Sequence, residues 1–240
     1  MNPRTFVIAD VHGCGVELQN LLEQKMQVRI GVDKVYAVGD MFDRGMYASL
    51  VWELIKKYDI QCILGNHEQK MVQYLIGKRK TLPTHYYYCL AELESNGVTP
   101  TDLISFINKL PRLLLLEDKN VIVTHGGIIP SHPLKENESA NTYGSFLEPI
   151  PIPTEGDGKV YWWDQYTGDY LILYGHFVTD DRLPRIRHNS IGLDCGAAHG
   201  HALMAYCIET KEFFSYESGI DWFTKLKGLM IDDQNPTSSQ

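Results

Sequence analysis

Three scarcities narrow what this chain can be. No apolar run approaches the roughly 20 residues that cross a bilayer, and Met1-Asn2-Pro3-Arg4 leads straight into a strand without a signal-peptide core. Cysteine is sparse: five in 240 residues, an odd number, with no Cys-x-x-Cys pair. That pattern excludes a disulfide framework and a thiolate zinc site, so the expectation is reduced thiols in a cytoplasmic protein with no membrane partner. An excess of positive charge is also missing. With 22 Lys+Arg against 30 Asp+Glu the formal net charge is -8, so a nucleic-acid backbone is not expected as the main partner. Phosphate recognition is still open, because it needs only a local positive site.

What is present is a repeated pattern of strand, polar loop and helix. Thr5–Ala9, Lys34–Val38 and Ile60–Leu64 read as short buried strands. Each runs into a polar loop and then an apolar-faced helix: one carries Val16, Leu18, Leu21, Leu22 and Met26, the next Leu50, Val51, Leu54 and Ile55, and the third spans roughly Gln69 to Ile76. Three such rounds in succession predict an α/β fold with a parallel sheet, whose ligands gather at the carboxyl ends of its strands. Residues 77–110 read as a helical insertion beside the site, a candidate lid, with a basic Lys78-Arg79-Lys80 patch and helices near 86–95 and 101–109. Leu113–Leu116, Val121–Thr124 and Leu171–Tyr174 follow as strands, and the proline-rich stretch 130–158 as a long surface loop. Ile191–Asp194, Ala202–Ile208 and Phe213–Tyr216 read as hairpin strands closing a second sheet. The expectation is a single domain over 1–231 and a disordered polar tail over 232–240.

The chemistry collects at strand ends: Asp10, His12, Asp40, Asp43, Asn66, His67, His125 and His176. Four of the nine histidines fall just after a strand. Mixed carboxylate, amide and imidazole donors suit Mn²⁺ first, then Fe or Zn²⁺, rather than Ca²⁺. Two cations fit better than one, since a catalytic site must keep a position open and a carboxylate such as Asp40 can bridge. Two divalent ions, two carboxylates, a bridging hydroxide and Arg44 sum to roughly +2. An anionic phosphate ester is the natural guest.

Asp10-x-His12, Gly39-Asp40-x-x-Asp43-Arg44-Gly45, Gly65-Asn66-His67-Glu68, His125-Gly126-Gly127 and Gly175-His176, in this order, resemble the calcineurin-like metallophosphoesterases. Within them the chain is similar to the phosphoprotein-phosphatase branch, particularly its bacterial and bacteriophage serine/threonine phosphatases. The resemblance implies a four-layer α/β/β/α sandwich of two mixed sheets flanked by helices. It implies one metal on Asp10, His12 and Asp40 and a second on Asp40, Asn66, His125 and His176. A bridging hydroxide would attack phosphorus, His67 held by Asp43 would be the general acid, and Arg44 with Asn66 would bind phosphate oxygens. The substrate implied is a phosphorylated protein or a small phosphate ester. The chain departs from that branch at Leu64, where arginine is usual, at Phe177, where threonine is usual, and at Tyr161-Trp162-Trp163-Asp164, which lacks a nearby arginine. Arg44 therefore acts alone or with Arg112, Arg182, Arg185 or Arg187. Leu64 also fits diadenosine-tetraphosphate hydrolases of the same superfamily, the alternative reading. A metal-stabilised binding module without turnover is the alternative of another class.

Several residues are set aside. Glu68 is expected to orient its loop, Cys14 and Cys195 to be ordinary buried thiols, and His199-Gly200-His201 to form a turn. His85, His132 and His188 are expected in solvated loops.

Overall fold

The computed structural model describes residues 2–144, 161–179 and 181–232. Its elements run β1 (Thr5–Ile8), α1 (Gly15–Asn20), β2 (Lys34–Ala37), α2 (Ala48–Lys57), β3 (Gln61–Cys62), α3 (Asn66–Leu75), α4 (Thr84–Ser95), α5 (Pro100–Ile107), β4 (Leu113–Leu116), β5 (Val121–Thr124), α6 (Glu138–Tyr143), β6 (Leu171–Tyr174), β7 (Arg185–Arg187), β8 (Ser190–Gly192), β9 (Ala202–Cys207), β10 (Glu212–Glu217) and α7 (Trp222–Asp232).

They form two mixed five-stranded sheets, β10-β9-β1-β2-β3 and β4-β5-β6-β8-β7, with helices flanking them. In the first sheet β1, β2 and β3 are parallel, with Ile8 beside Ala37 and Ala37 beside Cys62. In the second, β5, β6 and β8 are parallel, with Val123 beside Leu173 and Leu173 beside Ile191. The period-2 alternation of β5 explains how the layers hold together. Val121 and Val123 point into the large core shared with β1 and β2, whereas Ile122 points outward onto Trp162, Trp163 and Tyr166. A strand buried on both faces reads as an unbroken apolar run, as the sequence here does.

The helical insertion is where the spacing placed it. Pro100 opens α5 behind a Thr99–Asp102 capping box, and Gly97 leaves α4 with φ +83°. On α2, Val51, Leu54 and Ile55 are buried at three- and four-residue steps, each worth roughly 1.5–3 kcal/mol of transfer free energy.

Four expectations need correction. Strands β9 and β10 belong to the first sheet, β9 lying antiparallel to β1 with Ile8 beside Ala205, rather than to the second. Both faces of β9 are buried, so its pattern could not tell which sheet edge it extends. The second sheet is closed by β8, where Ile191–Asp194 was expected, and by β7, a strand with no counterpart among those expectations. The third helix begins at Asn66, not Gln69, because the chain leaves β3 at Cys62 and turns early. A short helix, α6, interrupts the loop expected over 130–158, capped by the Asn137 side chain on Ala140 N–H. The rest of that loop from 145 on, and the tail over 233–240, lie outside the described residues.

Candidate metal centre

Each candidate residue sits just past a strand, and the two sheets bring these carboxyl ends face to face. The backbone N–H of His176, after β6, donates to Asp10 Oδ1 and Oδ2 after β1, at 3.2 and 3.1 Å. His125, after β5, crosses the other way: its Nδ1 lies 2.9 Å from the Val38 carbonyl, which fixes the proton on Nδ1 and leaves Nε2 for other work. That Nε2 is 3.4 Å from Asp40 Oδ2 and 3.2 Å from Asn66 Oδ1. The loops after β1 and β2 are tied together by Asp40 O, which accepts from Val11 N and His12 N at 3.1 and 2.8 Å. Glu68 holds the loop after β2 from beneath, its two oxygens accepting Asp40 N at 2.8 Å and Met41 N at 2.7 Å. That is the orienting role expected of it.

Two clusters result. Asp10, His12 and Asp40 offer ligand atoms within 4.8 Å of one another, and so do Asp40, His125 and His176, with Asp40 common to both. A third group, His12, Asp43 and His67, is equally tight but differently used. There the Nδ1 atoms of His12 and His67 sit on Asp43 at 3.0 and 2.5 Å, so Asp43 takes up its donors through hydrogen bonds.

The electrostatics suit cations. Asp10 is buried, and its carboxyl is pushed up by that burial and by the nearby Asp194 and Asp40 carboxylates. Asp194 is itself pushed up to about 6, mainly by burial. Burial works against a charged His125, yet Asp40, Asp10 and Glu68 outweigh it and lift the imidazole to about 10. Such a pull for positive charge is what a divalent ion satisfies. His12 and His176 are driven to about 4 and about 3 by burial, with Arg44 and His125 respectively adding to it, so both are neutral imidazoles suited to ligation. Space is matched to the carboxylates as well. A Cβ on Gly175 would overlap Asp10 Oδ1, and one on Gly65 would overlap Asp40 Oδ1, so these motif glycines are where backbone and ligand touch.

All eight candidates therefore converge, and so does Arg44, whose Nη1 and Nη2 lie 3.0 Å from His12 Nε2 and 3.2 Å from His67 Nε2. Three of the alternative arginines are engaged elsewhere: Arg112 pairs with Glu138 at 3.2 Å, Arg185 lies over the Trp163 ring, and Arg187 donates to Ile186 O, while Arg182 is exposed. Cys14 and Cys195 are buried thiols, the first pushed up by burial and the second to about 12 for the same reason. His132 and His188 are exposed, and His199 ends a short 3-10 turn.

His85 is not in a solvated loop. It sits on the first turn of α4 with its side chain 11% exposed and Nε2 3.1 Å from Asp43 Oδ2. Its place on the helix was recoverable from Pro83 as a helix-start signal, but its contact with a residue 42 positions earlier was not.

The profile of the calcineurin-like phosphoesterases matches residues 3–221. The chain belongs to this family. Among curated relatives, the bis(5'-nucleosyl)-tetraphosphatase PrpE [asymmetrical] of Oceanobacillus iheyensis is 31% identical over 234 residues, covering 88% of this chain and 91% of that one. Among solved structures, one described as a candidate diadenosine tetraphosphatase superposes with a TM-score of 0.71 at 24% identity, covering 90% of this chain and 94% of the other. A protein serine/threonine phosphatase from Saccharomyces cerevisiae shares the fold at a TM-score of 0.52 and 16% identity, over 80% and 67% of the two chains. As a calcineurin-like phosphoesterase the chain is a metal-dependent phosphoesterase hydrolase. No helix among its described residues is long and apolar enough to cross a membrane.

Proposed function

We propose that this phosphoesterase hydrolyses dinucleoside tetraphosphates asymmetrically, water adding across the first P–O–P bridge to leave a nucleoside monophosphate and a nucleoside triphosphate. The observation that carries the hydrolytic chemistry is the pair of ligand clusters sharing Asp40, with the His67–Asp43 pair alongside. The substrate rests on the activity for which the PrpE relatives are named and on Leu64, which stands where phosphoprotein phosphatases usually carry arginine. The serine/threonine phosphatase reading ranks below it, since the yeast neighbour's likeness speaks for the fold alone.

Two divalent ions, manganese by preference, would be held by Asp10, His12 and Asp40 and by Asp40, Asn66, His125 and His176, and would supply an acidified water and polarised phosphoryl oxygens. The chain's own groups do the rest. Arg44 and the Asn66 amide hold the non-bridging oxygens and orient phosphorus. His67 Nε2 gives a proton to the departing oxygen while Asp43 holds Nδ1–H. Burial disfavours the charged ring, but Asp40 and Asp43 outweigh it, so the pKa of His67 is raised and the acid form is favoured.

The test compares diadenosine tetraphosphate with phosphoserine peptides on manganese-loaded protein, with products resolved by anion exchange. The expected result is AMP and ATP in equal amounts, formed at least about tenfold faster than phosphate from peptide. Two ADP per substrate, a preference for peptide, or full activity after chelator stripping would each overturn the proposal.

A further inference from the structure

The helical insertion reaches the general acid. His85 and Tyr86, neighbours on the first turns of α4, approach the His67–Asp43 pair from two directions. The Tyr86 ring is stacked on the His67 imidazole at 5.5 Å and 16°, which sets the plane of the ring. Asp43 is fully buried, and its two oxygens meet three imidazoles: His12 on Oδ1, and His67 and His85 on Oδ2 at 2.5 and 3.1 Å. An ionised carboxylate oxygen accepts more than one hydrogen bond, so Oδ2 has room for both donors. His85 Nε2 is buried 3.1 Å from Asp43 Oδ2 with its N–H aligned on no acceptor, and a small rotation of the ring would turn it onto that oxygen. From its far side His85 is backed by Phe223 of α7, edge-on at 5.3 Å, and Phe223 in turn lies 5.6 Å from the Arg44 guanidinium.

We propose that His85 is a positioning residue for the general acid: its Nε2–H donates to Asp43 Oδ2 and, with Tyr86 stacked on the ring, aims His67 Nε2 at the leaving oxygen. The inference rests on the proposed role of His67. The insertion is then a support for proton delivery, built from α4 and braced by α7, rather than a lid over the substrate. A second donor on Oδ2 matters because His67 would otherwise be the single hold on that oxygen, against His12 on Oδ1, and a small turn of the carboxylate about its Cβ–Cγ bond would go unopposed there. That turn carries the ring of His67 with it, and proton delivery is steeply dependent on alignment.

The test uses the full chain with His85→Phe, which keeps an aromatic ring without a donor, and His85→Gln, whose amide N–H reaches where Nε2 does. His67→Asn is the reference. In ¹⁵N-histidine-labelled, metal-free protein, the downfield Nδ1 proton of His67 should move in H85F and return toward its wild-type position in H85Q. On manganese-loaded protein, the ratio of turnover on phenyl phosphate to that on p-nitrophenyl phosphate should fall about tenfold in H85F, part of the general acid's whole contribution. The poorer leaving group needs the proton more, and H85Q should restore most of the ratio. If H67N leaves the ratio unchanged, the general-acid reading of His67 fails and this inference with it. If H67N lowers the ratio while H85F does not, or if the Nδ1 resonance is the same in all three His85 forms, only the role of His85 is overturned.

Discussion

Gly65→Ala separates the cost of a crowded ligand from the cost of a strained backbone. Gly65 precedes α3 with φ -82° and ψ 164°, angles that alanine adopts freely. The obstacle is space. A Cβ there would stand 2.6 Å from Glu68 Oε2 and nearer still to Asp40 Oδ1, against about 3.5 Å for comfortable contact. Neither neighbour yields easily. Glu68 is fully buried and carries the N–H groups of Asp40 and Met41, and Asp40 Oδ1 carries the His67 N–H at 3.0 Å. Overpacking of this kind costs about 1–3 kcal/mol. In a chain of this length each of those lowers the melting temperature by roughly 2–4 °C. The larger effect falls on binding, because Asp40 is the carboxylate both clusters share. Losing the support of one ligand lowers metal affinity by about 10–100-fold, to be read by titration calorimetry with Mn²⁺. Gly97→Ala is the contrast: φ is +83° with nothing near the new Cβ, so it costs about 1 kcal/mol through the backbone and leaves Mn²⁺ affinity alone. Wild-type affinity in G65A, or an equal loss in G97A, would refute the packing argument.

Other outcomes follow from the same contacts. Asp40→Asn should abolish tight binding of both ions, counted by equilibrium dialysis, rather than of one. Asp33 accepts from Arg4 N and Nη2 at 2.9 and 2.7 Å and from Arg29 N and Nη2 at 3.0 and 2.6 Å, so Asp33→Asn should cost about 1–3 kcal/mol in urea unfolding. Burial alone would raise that carboxyl, but the hydrogen bonds from Arg29 and Arg4 outweigh it and hold it below the usual range. Its contribution is therefore complete above the unfolded value of about 3.9 and is lost as pH falls below it, so the gap between wild type and D33N should close in acid. Arg44 takes φ +71°, and Arg44→Gly should be about 1 kcal/mol more stable than Arg44→Ala although both lose the same guanidinium. Equal urea midpoints for the two would contradict this.

The parts of the fold legible in the sequence were those written in local periods. The strands before Asp10, Asp40 and His125, the α2 face and the capped helices of the insertion all follow from spacing and caps within about a dozen residues. Convergence of the site was legible too, because parallel strands deliver their loops to one edge. Pairing across long separations was not. Nothing near Ala205 announces that it lies beside Ile8, and the three residues of β7, with Ile186 58% exposed, carry no apolar signal. His85 was misplaced for the same reason: its neighbour Asp43 is chosen by the docking of α4, not by any feature of 84–88. Arg44 is marked by its motif, but whether Arg112, Arg182, Arg185 or Arg187 supplements it depends on packing that no local pattern shows.

Four of the residues that carry the chemistry stand on an uncomfortable backbone. His12, Asp40, Arg44 and His176 adopt φ of 49°, 51°, 71° and 67°, left-handed values that cost a side-chain-bearing residue roughly 1–2 kcal/mol each. Summed, that rivals the low end of a domain's net stability of about 5–15 kcal/mol, so the surroundings must over-determine these conformations. They do: Asp40 O binds two N–H groups of the next loop, Glu68 binds Asp40 N, and His176 N–H is shared by both oxygens of Asp10. Propensity would place glycine or asparagine at such positions. Aspartate, histidine and arginine standing there instead mean that each turn is specified by contacts from another loop, with its side chain free to face the centre. A change that loosens those contacts is therefore expected to release backbone strain and scatter the ligand set in one event, which ties metal affinity to the packing beneath the loops as well as to the ligands themselves.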